Sequence, residues 1–217
     1  MITRYQIQPR GNMQVTTDDQ ANWIRVSAPL PQELQTLATT YGLPATYLAA
    51  ATDQHENARV EGLNPADQVP GLIVLRYPVE TTSETGFDQY NTVPMTMILL
   101  NDRVITITHD PLQAFDDLAQ QKLSPKPEEF ALEVLWLVLH QFVIAMDKLN
   151  DETKQIERSL GKAAKNTQLY QLMAMQKGLV FFDAALDHSG TLLKALRDGE
   201  RFFNTNGYLR RLHDVEV

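Results

Sequence analysis

Histidines, clustered carboxylates and one serine–lysine pair are the side chains of this sequence that could do chemistry. The five histidines, His55, His109, His140, His188 and His213, share no His-x-x-x-His spacing that would aim two imidazoles at one metal from a helix. An isolated histidine lacks the convergent partners that catalysis or ligation needs, so each reads as a surface or capping residue. Ser159-Leu-Gly-Lys162 has the spacing of a serine nucleophile and its lysine base, but no Ser-Asp-Asn or Lys-Thr-Gly segment accompanies it. The sequence has no cysteine, which removes disulfides, thiolate metal sites and cysteine nucleophiles together and fits a reducing compartment. It has no Gly-x-Gly-x-x-Gly loop to cradle a phosphate. These residues predict no enzyme and no required cofactor.

The carboxylates form two groups. Glu128, Glu129 and Glu133 fall where a long helix should start, and acidic residues there complement the helix dipole. Asp147, Asp151 and Glu152 lie off the apolar seam of that helix, as a solvated face does. Met146, Met173 and Met175 read as core filler. With 27 acidic against 19 basic residues the net charge is −8. Such a surface repels phosphate backbones, so no nucleic acid is expected as a partner, whereas a cation is electrostatically favoured.

The elements that must position these residues change character along the 217 residues. Arg4–Gln8 and Met13–Thr17 read as a hairpin around Pro9-Arg-Gly-Asn12, with Trp23–Ser27 a third strand. Pro31 opens a short helix carrying Leu34, Leu37 and Ala38 on one face, Gly42 stops it, and a second short helix covers Ala45–Ala51. Gly71–Tyr77 is almost continuously apolar, which predicts a central strand covered on both faces. Val93–Leu100 and Arg103–Thr108 join through Asn101-Asp102, a two-residue hairpin. Thr81–Asn91 reads as an exposed connection, and Pro111–Gln121 as a helix.

From Pro127 the pattern is helical only. Leu135, Leu139, Phe142, Met146, Leu149, Thr153, Ile156 and Leu160 alternate steps of four and three. So do Leu172, Met175, Leu179, Phe182, Leu186, Ser189, Leu193 and Leu196. Gly161 and the polar 162–166 stretch predict that the two helices fold back on each other as an antiparallel, coiled-coil-like hairpin, each helix roughly 33 residues and about 50 Å long. Asn204–Gly207 should end the second helix, and Tyr208 starts a third with no stop signal before Val217, so the natural sequence is expected to continue. The strongest apolar stretch, Phe130–Met146, is interrupted by Glu133, His140 and Gln141 and is expected not to span a bilayer. The expected fold class is α/β (α+β): a mixed or antiparallel sheet layered by short helices in residues 1–125, a long helical hairpin in 126–203, and the start of a stalk helix in 204–217.

Local segments give this order a family resemblance. Trp23-Ile-Arg-Val-Ser-Ala-Pro29 with Glu33-Leu34, Tyr41-Gly-Leu-Pro44, Ala58-Arg-Val-Glu61, Val104–Thr108 and Tyr208-Leu-Arg-Arg-Leu-His-Asp214 resemble the cytosolic portion of the CorA family of magnesium, cobalt and nickel transporters, including its ZntB-like zinc branch. Ala58 stands where the family usually has proline, and the family's Gly-Met-Asn tripeptide does not occur in the sequence. The resemblance implies the cytosolic regulatory and assembly domain of a membrane transporter. Identical subunits would form a homopentamer, reaching the membrane through helices beyond Val217. Mg2+ or another divalent cation would be both transported ion and regulatory ligand, held between subunits by carboxylates. It places one such carboxylate at Glu80 and its partner beyond Val217. A soluble scaffold that uses the hairpin as a partner surface, with no ion role, is the alternative.

Overall fold

The computed structural model describes residues 1–17, 20–118, 120–159, 166–203 and 207–211. Among them, seven strands form one sheet: β1 (Ile2–Ile7), β2 (Met13–Val15), β3 (Trp23–Ser27), β4 (Arg59–Glu61), β5 (Gly71–Thr82), β6 (Asp88–Leu99) and β7 (Val104–Thr108). Five helices accompany them: α1 (Pro31–Tyr41), α2 (Ala45–Thr52), α3 (Ala114–Leu118), α4 (Pro127–Ser159) and α5 (Asn166–Asp198). The strand order is β2-β1-β3-β7-β6-β5-β4. The sheet is mixed, because β3 and β7 run parallel while the other neighbouring pairs are antiparallel.

The alternation of side chains along each strand sorts the core into two layers. Ile24, Val26, Leu72, Val74, Ile98, Ile105 and Ile107 face α1 and α2, where Leu34, Leu37, Tyr47 and Ala50 cover them. Their neighbours Trp23, Ile73, Leu75, Met95, Met97 and Val104 face the other way, against Phe115, Phe130, Leu135, Leu192 and Leu196 of α3, α4 and α5. Trp23 anchors this second layer: it stacks on Tyr5, meets Phe115 edge-on at 5.7 Å, and gives its indole N–H to Thr106. Each large apolar side chain buried this way contributes about 1.5–3 kcal/mol.

Several expectations hold because local chemistry dictates them. Gly42 ends α1 at φ 62°, a left-handed conformation glycine adopts without strain. Leu100 donates its N–H to Arg103 O across Asn101-Asp102, closing the two-residue hairpin. Among the described residues no strand follows Pro127, and α4 and α5 each run 33 residues.

Other expectations need correcting. The Thr81–Asn91 segment is not a connection: β5 and β6 stay paired to Thr82↔Asp88, leaving only a short turn closed by Ser83 and Phe87. Its strand ends are polar because the ladder there outruns the core, while Tyr90 packs on α5 through Phe182. β5 is buried on both faces but lies second from the edge, beside the three-residue β4. α3 is a five-residue helix, shorter than Pro111–Gln121, although Leu112, Phe115 and Leu118 are all buried as expected. α5 ends at Asp198 before Gly199, ahead of the expected break. Residues 207–211 are helical, and Arg211 pairs with Glu133 of α4. The link at 160–165, which includes the Lys162 of the Ser-x-x-Lys pattern, and the continuation past 211, which includes His213, lie outside the described residues.

The helical seams also differ from a simple heptad. On α4, Phe142, Ala145, Leu149 and Ile156 are buried, while Met146 is exposed. On α5 the buried residues are Ala174, Met175, Gly178, Phe182, Ala185, Ser189, Leu192, Leu193 and Leu196, so Met175, Phe182, Ser189, Leu193 and Leu196 keep the expected register while Leu172 and Leu179 are exposed. Small residues set this register. A Cβ on Gly178 would lie 3.2 Å from the Tyr90 Cβ and 3.3 Å from its backbone nitrogen, so α5 approaches β6 backbone to side chain.

Candidate functional site

Glu80 lies near the end of β5, paired in register with Tyr90 of β6. α4 crosses this end of the ladder and brings Lys148 to it, with the ammonium 2.6 Å from Glu80 Oε1 and 6.0 Å from the Tyr90 ring centroid. Phe142, Ala145 and Leu149 fix the rotation of α4 by packing into the same cluster as Tyr90 and Phe182. Lys148 and Glu152 stand one turn apart on α4.

The electrostatics follow from this crowding. The hydrogen bond it donates to Glu80 holds the Lys148 ammonium above its ordinary pKa, against some desolvation. Burial pushes the Glu152 carboxyl up; the charges of Asp88 and Glu80 push the same way, and Lys148 opposes them. Burial raises the Tyr90 phenol. Glu152 is therefore not part of a simple solvated face: it is half-buried beside the ion pair. The pair itself is about half exposed on each side, which limits its worth to about 0–1 kcal/mol.

As an isolated ligand set the site is incomplete. Among the described residues no three His, Asp or Glu side chains converge as a metal site would require. Glu80 reaches a tethered cation, so a hard divalent ion would have to displace Lys148 and find further oxygen ligands.

The remaining candidates are dispersed. The His55 backbone N–H caps onto Asp53, and the His109 ring meets Gln54 at 2.7 Å and Asp110 at 3.4 Å. His140 stacks on Trp136, with ring centroids 4.6 Å apart, and His188 bonds Ala184 O one turn back. Glu129 is held below the usual carboxylate range by hydrogen bonds from Ser124 and Lys126. Asp147 and Asp151 are exposed, Asp151 pairing with Lys154 at 3.1 Å.

α4 is long and apolar enough to cross a bilayer by length and composition alone, with a mean hydropathy of 1.6 over the qualifying stretch. Half of that window is buried inside the fold, the pattern of a core helix. Sequence reasoning missed this qualification by requiring an uninterrupted apolar run.

The mixed sheet and its two 33-residue helices share their fold with solved CorA and ZntB domains. The soluble domain of CorA from Methanocaldococcus jannaschii is similar over 100% of this chain and 86% of its own, with a TM-score of 0.82 at 18% identity. The complete structure of that organism's CorA magnesium transporter matches 100% of this chain and 68% of its own, with a TM-score of 0.81 at 17% identity. The ZntB cytoplasmic domain from Vibrio parahaemolyticus matches 99% of this chain and 88% of its own, with a TM-score of 0.71 at 11% identity. At these identities the likeness is one of fold. Among curated protein sequences none matches the chain. The family model described as CorA-like Mg2+ transporter protein matches residues 18–215, and the chain belongs to that family.

Proposed function

We propose that this chain is the cytosolic regulatory and assembly domain of a CorA-like divalent-cation transporter, and not an enzyme. The observation that carries the reading is the family match across residues 18–215, joined to a fold shared with CorA soluble domains. In this reading residues 1–125 form the sheet domain, 126–203 the helical hairpin and 204–217 the start of the stalk. Identical subunits, five in the intact transporter, cover exposed apolar residues of the long helices such as Trp136, Ile144, Leu179 and Val180. Glu80 supplies one carboxylate of an intersubunit site for Mg2+ or another divalent cation, and a second carboxylate comes from the stalk beyond Val217. Cation binding at Glu80 releases Lys148, so ion concentration shifts the population between packed and splayed subunits.

A chimera tests the reading. The soluble part of the M. jannaschii CorA is replaced by this chain, and magnesium flux is measured in liposomes while internal magnesium is raised. Flux that closes with rising magnesium, at a higher threshold in Glu80→Gln, is the expected result. A chimera that assembles but carries flux indifferent to internal magnesium refutes the sensing role. Unchanged closure in Glu80→Gln refutes the placement of the site.

A further inference from the structure

Charge is unevenly placed along this chain. Its net charge is −8, yet Thr153–Phe182 holds five basic residues against one acidic residue, Glu157, a local charge of +4. That stretch is the end of the two long helices where α4 stops and α5 starts. Acidic side chains are favoured in a helix's first turn, where they complement its dipole, but the first turn of α5 has none.

The same end carries apolar side chains on its surface. At the start of α5, Leu169, Tyr170, Leu172 and Met173 are all exposed, Leu169 at 57% and Met173 at 56%. Leu169 and Met173 stand one turn apart, on the side of the helix opposite the buried Met175, Gly178 and Phe182. Folding therefore leaves them in water. Basic residues border them. Thr153 of α4 and Leu172 of α5 line one groove, so Lys154 stands level with Leu172 and Arg158 one turn nearer the end. Lys177 lies one turn past Met173, and all three basic residues are exposed. Lys154 meets Asp151 at 3.1 Å, an exposed pair that another anion exchanges easily.

We infer that this end of the α4–α5 pair docks on an anionic lipid surface, with Leu169, Tyr170 and Met173 entering the headgroup layer and Lys154, Arg158 and Lys177 meeting lipid phosphates. Long basic side chains lie along apolar surface while their charges reach the headgroups, and tyrosine suits a layer that is apolar at one end and wet at the other. A nucleic acid would match the charge but leave the leucine and methionine in water. A second copy of the chain would cover the apolar residues but bring one basic end against another. An anionic bilayer answers both features. This contact goes beyond the cation-sensing reading and does not depend on Glu80.

Co-sedimentation of the 217-residue chain with vesicles tests it, using phosphatidylcholine alone and equal parts phosphatidylcholine and phosphatidylglycerol, at low and high salt. The expected result is binding to the phosphatidylglycerol vesicles at low salt, falling as salt rises, and weak binding to phosphatidylcholine alone. Each basic residue near an anionic surface contributes roughly a factor of five, so Lys154→Gln/Arg158→Gln/Lys177→Gln should bind at least about tenfold more weakly. Lys194→Gln, toward the other end of α5, should bind as the parent does. Leu169→Ser/Met173→Ser should weaken binding several-fold. All the substituted residues are exposed, and melts of the variants that match the parent exclude misfolding. No binding to phosphatidylglycerol vesicles at low salt overturns the inference, as does binding unchanged in the triple variant. Binding unchanged in the serine variant overturns the insertion of the apolar residues. Self-association lost in the serine variant, without vesicle binding by the parent, gives this face to a second copy and overturns the lipid assignment.

Discussion

Replacing Phe182 by alanine removes the ring that joins three elements. It meets Tyr90 of β6 at 5.4 Å and Phe142 of α4 at 5.2 Å, the latter nearly edge-on, and it is only 2% exposed. Nearby atoms are held by the sheet on one side and α4 on the other, so the cavity cannot collapse. A buried Phe→Ala change costs about 3–5 kcal/mol. In a domain of this size about 1 kcal/mol moves Tm by about 2–4 °C, so a drop of about 6–20 °C is expected. Leu179, one turn earlier on α5, is the internal control. The heptad pattern puts both residues on one seam, but Leu179 is 48% exposed. Leu179→Ala should change stability by less than about 0.5 kcal/mol. Far-UV circular dichroism melts and urea titrations of both variants measure the difference. Equal destabilisation by the two substitutions would show that α5 is rotated from the register described here, with Leu179 and not Gly178 against the sheet.

Gly62 sits at φ 70°, and a Cβ there would lie 2.3 Å from Pro70 O, so Gly62→Ala should cost at least about 1–2 kcal/mol by left-handed strain alone, read as a lowered urea midpoint. For Glu152 the folded pKa is raised, chiefly by burial, so the native state holds the proton more tightly than the unfolded chain and stability falls as pH rises from the ordinary carboxylate range through the folded pKa. Glu152→Gln should therefore be more stable than the parent at neutral pH, with the difference fading as pH drops below that window; a difference independent of pH in urea titrations would contradict the assignment.

How much of the fold is legible depends on whether a feature is decided locally. The first helix was readable because Pro31, its leucines and Gly42 act within one segment, and the β6–β7 hairpin because Asn101-Asp102 dictates the turn. β4 was not readable as a strand, since three residues carry too little alternation, and it exists by pairing with β5. The α5 seam is legible in part: Met175, Phe182, Ser189, Leu193 and Leu196 are buried in the expected register, and two positions depart from it for a different reason. Apolar periodicity counts large side chains, and the buried face also includes Ala174, Gly178 and Ala185, which are small. Leu172 and Leu179 keep the heptad step while lying outside that face. A helix packed closely on a sheet thus hides the small-residue part of its contact line from a reading weighted by hydrophobicity.

The same distinction governs the candidate site. Glu80 follows the apolar Gly71–Tyr77 run in the sequence, and only the family resemblance singles it out as a candidate ligand. Its partner was not legible, because Lys148 lies 68 residues away and the rotation of α4 that delivers it depends on Phe142, Ala145 and Leu149 packing near Tyr90. That partner changes what the site can do. A lone exposed carboxylate binds a hydrated divalent cation weakly; one already paired with an ammonium must also exchange that partner. The exchange is not energetically forbidding, since an exposed pair contributes about 0–1 kcal/mol. Its consequence is mechanical. Glu80 belongs to the sheet and Lys148 to the long helix, so whatever takes up Glu80 acts directly on the contact between the two parts of the fold.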